Sequence, residues 1–255
     1  NMVRSIRFWC TAFHLIESSP ENNSYMVATK LGDKLLDDNG WDPYLEDIAS
    51  IWLLHWHLFV PQLEAASWSI VFNNCNDPSF DNNQLSEILL TAATKYARFA
   101  SISKNTIKRD ASCLIRMYYE ENQKKGSEIH YPFSQLGLIR KAEEKKEVSF
   151  SNIEKATLPP LIFAAACFSY MCSYVPAKQR TISLQRLTYN LNSPGVVFRV
   201  PESVVGSYLY TALHSANGNL EKAKLADNLG TYQLYLNESP ETLYWLSLKS
   251  YYEGK

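Results

Sequence analysis

The string "DNGWDPYLED" is a dense acidic cluster at a turn, and in it Asp42, Glu46 and Asp47 lie at spacings of four and one. Carboxylate oxygens are the ligands that Mg²⁺ and Mn²⁺ prefer. A divalent cation held by one or two of them polarises a phosphate and lowers the pKa of a bound water. On a helix beginning at Pro43, Asp42 and Glu46 lie near one another, so that pair is the candidate metal site. Asp47 joins them as a candidate catalytic residue. The same string has a plainer use. An Asp before a Pro is an N-cap followed by proline at the first helical position, and acids in a first turn favour the positive end of the helix dipole. Both uses stay open at the level of sequence.

Other chemistry-bearing residues are sparser. His55 and His57 fall in "IWLLHWHL". A spacing of two puts them about 200° apart on a helix, so they cannot share a ligand. Among tryptophans and leucines they read as core histidines, with a general-base role as the alternative. "NNCNDPSFDNN" (Asn73–Asn83) reads as a polar connector, and "KAEEKKE" (Lys141–Glu147) as a solvated helix end or link. The five cysteines form no CxxC, and Cys167 and Cys172 sit in an apolar run, which points to reduced, buried thiols and a cytoplasmic protein. No GxGxxG or Walker-type loop is present and there are nine glycines, so no nucleotide cofactor is indicated. The apolar run "LPPLIFAAACFSYMCSYV" holds two prolines and suits a buried helix better than a membrane span.

A different chemistry comes from the cations. The formal charge of the whole chain is −1. Yet "SKNTIKRDASCLIRMY" carries Lys104, Lys108, Arg109 and Arg116 against one acid, Asp110. On a helix over 105–118, Ile107, Ala111, Leu114 and Tyr118 share one stripe. Asn105, Lys108, Arg109, Ser112 and Arg116 fall opposite. A second helical pattern, "LSEILLTAATKYA", precedes it across the short joint "RFASIS". That is a helix-turn-helix arrangement, in which the second helix presents side chains to base edges and phosphates of double-stranded DNA. "TIKRDA" resembles the recognition helix of winged-helix repressors. A plain amphipathic helix with a solvated basic face is the competing reading.

The start of the chain repeats the pattern. "NMVRSIRFWCTAFHLI" puts Val3, Ile6, Cys10 and Phe13 on one stripe, with Arg4 opposite and Arg7 at the border. Turn residues and the strand-like "YMVAT" follow, as a β-wing follows a recognition helix. Phe8 on the polar face either wedges against nucleic acid or packs under the wing. A third region reads as a small helix (183–189), a Ser-Pro-Gly turn, a strand (196–200), a helix (202–215) and a final strand "TYQLYL". It lacks the charge and reads as structural or protein-contacting. The expected fold is mainly α with small β-wings, as tandem winged-helix or helix-turn-helix units. The divisions fall at 1–40 (a partial winged helix whose upstream part is expected to be missing), 41–148 (helical, with a second helix-turn-helix) and 149–255 (α+β, winged-helix-like).

"NMVRSIRFWCTAF", "WDPYLEDIASIWLLHWHL", "TIKRDASCLIRMYYE" and "PGVVFRV" together resemble the SspB-like family of proteins associated with DNA phosphorothioation, a bacterial family of unknown-function type. The resemblance extends from residue 1 to about Tyr252. In that family a Gly-x-Gly-Lys sequence usually precedes the Asn-Met-Val-Arg string. It implies a DNA-nicking role that allows sulfur into the backbone in an anti-phage system. By the same resemblance the partners are a cysteine desulfurase and a sulfur-transfer ATPase; the cofactor expected for nicking is Mg²⁺ or Mn²⁺, because carboxylate-held divalent cations activate water against a phosphodiester. No membrane partner is expected. The alternatives are a non-catalytic DNA-recognition adaptor and a transcriptional regulator. A near-neutral total charge fits selective or assisted DNA binding better than indiscriminate coating.

Overall fold

The protein is described here from a computed structural model that covers residues 2–95, 102–119, 131–143, 147–215, 218–228 and 230–254. Helix α1 (Met2–Ala12) leads into a hairpin of β1 (Ile16–Ser18) and β2 (Met26–Ala28), paired antiparallel with Glu17 opposite Val27. Helix α2 (Lys30–Leu36) starts at Thr29, whose hydroxyl accepts the Gly32 N–H and donates to the His14 carbonyl. One side chain thus caps the helix and fixes the hairpin's entry. Helices α3 (Ile48–His57), α4 (Ala66–Asn74), α5 (Asn82–Lys95) and α6 (Lys104–Tyr118) follow. A 3₁₀ turn (Pro132–Leu136) precedes a second hairpin, β3 (Ile139–Lys141) with β4 (Val148–Phe150).

The remainder begins with α7 (Pro160–Tyr174), the expected buried helix, which packs against α3. Then come β5 (Thr181–Ser183), α8 (Leu184–Tyr189), α9 (Pro194–Phe198) and α10 (Glu202–Ser215). The hairpin β6 (Ala223–Asn228) with β7 (Thr231–Leu236) and the helix α11 (Pro240–Tyr252) close the chain. The strand order β5-β7-β6 is antiparallel throughout. The molecule is mostly helical with small antiparallel sheets, and no parallel strand pair occurs among the described residues. Buried side chains from Ala12 through Trp52, Leu114 and Phe163 to Leu248 form one contiguous apolar core. No helix among the described residues is long and apolar enough to cross a membrane.

Several expectations change. The segment 196–200 is not a strand. Pro194 stands in the first turn of α9, after Ser193, and Arg199 ends the helix in a left-handed conformation, φ 53°. The helix is pressed against α8: a Cβ at Gly195 would stand 2.5 Å from both the Cα and the carbonyl oxygen of Thr188. A β-branched run therefore becomes helical because Pro sets the first turn and Gly allows the contact. No helix begins at Pro43 either. Leu45 has φ 55°, which breaks the turn, and α3 starts only after Asp47. "KAEEKKE" belongs to the β3–β4 hairpin, where the Ala142 N–H donates to the Glu147 carbonyl; its residues 144–146 lie outside the described ones. Cys172 is exposed rather than buried. Most of the joint "RFASIS" (98–101) also lies outside the described residues.

Gly195→Ala is expected to destabilise the fold by about 1–3 kcal/mol, the usual range for overpacking. Denaturant unfolding monitored by circular dichroism measures it, and unchanged stability would mean that α8 and α9 separate at little cost.

Candidate nucleic-acid interface

Helix α6 has the two faces that its sequence dictates. Ile107, Ala111, Leu114 and Tyr118 are buried. Lys104, Asn105, Lys108, Arg109 and Arg116 are exposed. The helix is started by Ser103, whose hydroxyl accepts the Thr106 N–H at 3.1 Å. Its one acid is drawn aside: Asp110 accepts a hydrogen bond from Ser67 on α4 at 2.7 Å. Among the described residues no ion pair involves α6. The exposed face therefore presents four cations and an amide whose charge is not cancelled locally.

Helix α1 differs from its pattern. Arg4 and Arg7 are exposed as expected, and the Arg7 guanidinium reaches the Met26 sulfur on β2 at 3.2 Å, tying helix to hairpin. But only the C-terminal end of the apolar stripe is packed. Trp9 stacks on Phe13 and meets Trp68 edge-on. Val3 and Ile6, at 79% and 56% exposure, face solvent. Phe8 touches Trp9 edge-on and stays exposed, so it does not pack under the wing.

The carboxylates have defined tasks. Asp42 is buried, and its two oxygens separately accept the N–H groups of Glu46 (2.9 Å) and Asp47 (3.1 Å). It folds the loop before α3 rather than capping a helix. Asp47 is the cap: it accepts the Ala49 N–H at 3.0 Å and a hydrogen bond from the Tyr251 hydroxyl at 3.2 Å. Glu46 is exposed. Each Asp42 oxygen thus already accepts one backbone N–H, and a cation at Asp42 would have to share those oxygens with the loop. Among the described residues no group of three or more His, Cys, Asp or Glu side chains converges to hold a metal.

The comparisons give this geometry a family. The family model described as "Protein of unknown function (DUF4007)" matches residues 1–252. The chain belongs to the DUF4007 family. Two solved structures are similar to it: "SspB crystal structure" with a TM-score of 0.85, and "Magnesium ion-bound SspB crystal structure" with 0.83. Each is 28% identical, and the match covers 99% of this chain and 75% of the solved one. This DUF4007 chain is thus SspB-like in sequence and fold. No curated protein matches it.

What fixes α6 in this SspB-like fold is His55. Its Nε2 lies 3.0 Å from the Val197 carbonyl, which can only accept, so Nε2 carries the proton. Its Nδ1 then accepts from the Tyr118 hydroxyl at 2.8 Å. One neutral imidazole joins α3, the end of α6 and α9. Sequence reasoning placed this residue in the core but had no means of pairing it with residues so distant in the chain. His57 is also buried, 3.0 Å from the Tyr244 hydroxyl, with Nδ1 unpartnered. Burial pushes both histidines down to about 3, against the Val197 carbonyl for His55 and with the nearby His14 adding to the effect for His57.

The unfolded chain takes up protons on these histidines near pH 6.5, whereas the folded one resists until about 3. Their contribution is complete above pH 6.5 and is lost as pH falls through that window, by up to about 1.4 kcal/mol per pH unit for each. Denaturant unfolding between pH 7 and 4 should show this slope, and His55→Gln should make it shallower by close to one proton. An unchanged slope in that variant would mean that His55 titrates normally in the fold.

Proposed function

We propose that this SspB-like protein serves a DNA phosphorothioation system by contacting double-stranded DNA through the cationic face of α6, with Arg4 and Arg7 of α1 as a second contact. The observation that carries the reading is the face itself: Lys104, Asn105, Lys108, Arg109 and Arg116 are exposed together while Asp110 is held by Ser67. Cations so placed release the counterions of the phosphate backbone, and the amide of Asn105 can read a base edge. Two further features support it. α1 is followed by the β1–β2 hairpin, and the run α7–β5–α8–α9–α10–β6–β7, with strand order β5-β7-β6, follows the order of a winged-helix unit with the short α9 inserted. Within this reading the chain nicks DNA so that sulfur can enter the backbone, together with a cysteine desulfurase and a sulfur-transfer ATPase in the cytoplasm. The likeness to a magnesium-bound SspB structure supports including Mg²⁺ or Mn²⁺ in its assay.

A second reading is favoured by the carboxylates. Asp42 and Asp47 are engaged by backbone N–H groups, which suits an adaptor that recognises DNA and recruits the catalyst. The nicking assay separates the two. Supercoiled plasmid with Mg²⁺ or Mn²⁺ should give the open-circular form, and EDTA should prevent it. Glu46→Gln is the informative variant, because Glu46 is exposed and its change spares the loop. Loss of nicking with unchanged DNA affinity and melting assigns Glu46 to the active site. Asp42→Asn is a poor test, since it sets an amide NH₂ against one of two backbone donors, at a cost of about 1–3 kcal/mol. If the wild type fails to nick with either metal, the adaptor reading stands.

The interface itself has a separate test. Changing Lys108, Arg109 and Arg116 together to Ala should weaken duplex binding and make the slope of log K against log salt shallower by roughly 2–3. Equal slope and affinity in a folded variant would place the DNA surface elsewhere.

A further inference from the structure

Outside α6 the molecule gathers cations a second time, around the β3–β4 hairpin, where Lys155 is buried and Arg199 half-buried. Arg199, at the end of α9, lays its guanidinium over the Phe150 ring, 3.6 Å from the centroid, with Phe72 at 5.4 Å. Its Nη2 donates to the Phe72 carbonyl at 2.7 Å, while its Nε is buried with no acceptor. Lys155 is held at the same end of the hairpin. The Lys155 N–H donates to the Tyr208 hydroxyl and that hydroxyl donates back to the Lys155 carbonyl, both at 2.9 Å. The Lys155 ammonium donates to the Ser151 carbonyl, one residue beyond Phe150. Among the described residues only one of its three protons is used. Arg140 stands on β3, the strand paired with β4, and is exposed.

These groups feel one another. Burial first, then Arg140 and Arg199, bring Lys155 down to about 8, and burial brings Arg199 down to about 10. No carboxylate among the described residues offsets either charge, and neither makes an ion pair there. The exposed acid Glu154, next in the chain, forms no such pair. Buried cations without a counter-charge are costly, and an orphaned guanidinium donor adds to that cost. Proteins normally avoid the arrangement or complete it with an anion.

We propose that Lys155, Arg199 and Arg140 form a binding site for a phosphate-type oxyanion. A tetrahedral anion matches the unused donors of Lys155 and the guanidinium fork of Arg199, and Arg140, exposed on β3, adds a charge that Lys155 feels. Two sources carry that chemistry: a backbone phosphate of nucleic acid and a free phosphate- or sulfate-like anion. The site stands whether or not α6 binds DNA, because it shares no residue with that face.

Inorganic sulfate is the probe, since its charge is constant across the pH range used. Calorimetric titration of the full chain at pH 7 and constant ionic strength should show saturable binding at one site. Lys155→Met keeps the buried stem and removes the charge, and should weaken binding about tenfold or more, the scale of one charge-assisted hydrogen bond. Arg140→Gln, at an exposed position, should weaken it severalfold and decides the matter if Lys155→Met does not fold. Short duplex DNA added to the sulfate-bound protein separates the sources: competition assigns the site to a backbone phosphate, and unchanged sulfate binding assigns it to a free anion. Absence of saturable binding overturns the proposal. So does equal binding in wild type and both variants, which would leave the aromatic rings and carbonyls as the whole compensation for these charges.

Discussion

The architecture depends on a single buried imidazole. His55 is surrounded by the rings of Phe59, Phe72, Tyr118, Phe133 and Phe198, with centroids between 5.3 and 5.9 Å away. In such a setting each nitrogen must find a partner or lose the hydrogen bonds that water gave it. The two partners, Tyr118 and Val197, come from segments 63 and 142 residues away in sequence. The hydrogen bonds add direction to a cluster that apolar burial alone would leave free to repack. They decide which helix lies where.

That constraint reaches the surface through Tyr118. It is the last residue of α6, on the same stripe as Ile107, Ala111 and Leu114. Fixing its hydroxyl sets the rotation of the helix, and the rotation sets which side chains face solvent. Lys108, Arg109 and Arg116 are outward because Tyr118 is inward. The packing of Phe72 against both Tyr118 and Phe150 continues the same aromatic cluster to the β3–β4 hairpin, where Arg199 lies on Phe150. Both cationic regions therefore rest on one aromatic core.

Much of this was legible locally. The buried stripe of α6 follows from apolar spacing, the buried α7 from its long apolar run, and the strand "TYQLYL" from its strand-like composition. These are segments in which local pattern and burial agree. The misreadings share a cause. In 194–198 a β-branched run favours a strand, but Pro194 and the close contact of Gly195 with α8 favour a helix, and the tertiary contact prevails. In 42–47 an Asp-Pro pair suggests a cap, but the left-handed Leu45 moves the helix start to Asp47. On α1 the period was right, yet Val3 and Ile6 are exposed, because period tells which residues share a face and not whether anything covers it. Lys155 and Arg199 left no sequence signal, since neither lies in a charged run. Only the fold brings both to the β3–β4 hairpin.

The distribution of charge reconciles a near-neutral chain with a cationic face. Acids are fixed to local donors: Asp42 to two backbone N–H groups, Asp47 to the start of α3, Asp81 to the Asn83 and Gln84 N–H groups at the start of α5, and Asp110 to Ser67. At helix starts their charge is partly balanced by the orphan N–H groups and the dipole. The cations of α6 receive no such balance. Acids and bases nearly cancel in the total, but these four acids are occupied in building the fold while the cations of α6 face outward. Net charge is then a poor guide to what the surface can bind, because affinity for a polyanion depends on which charges remain unengaged and in what geometry.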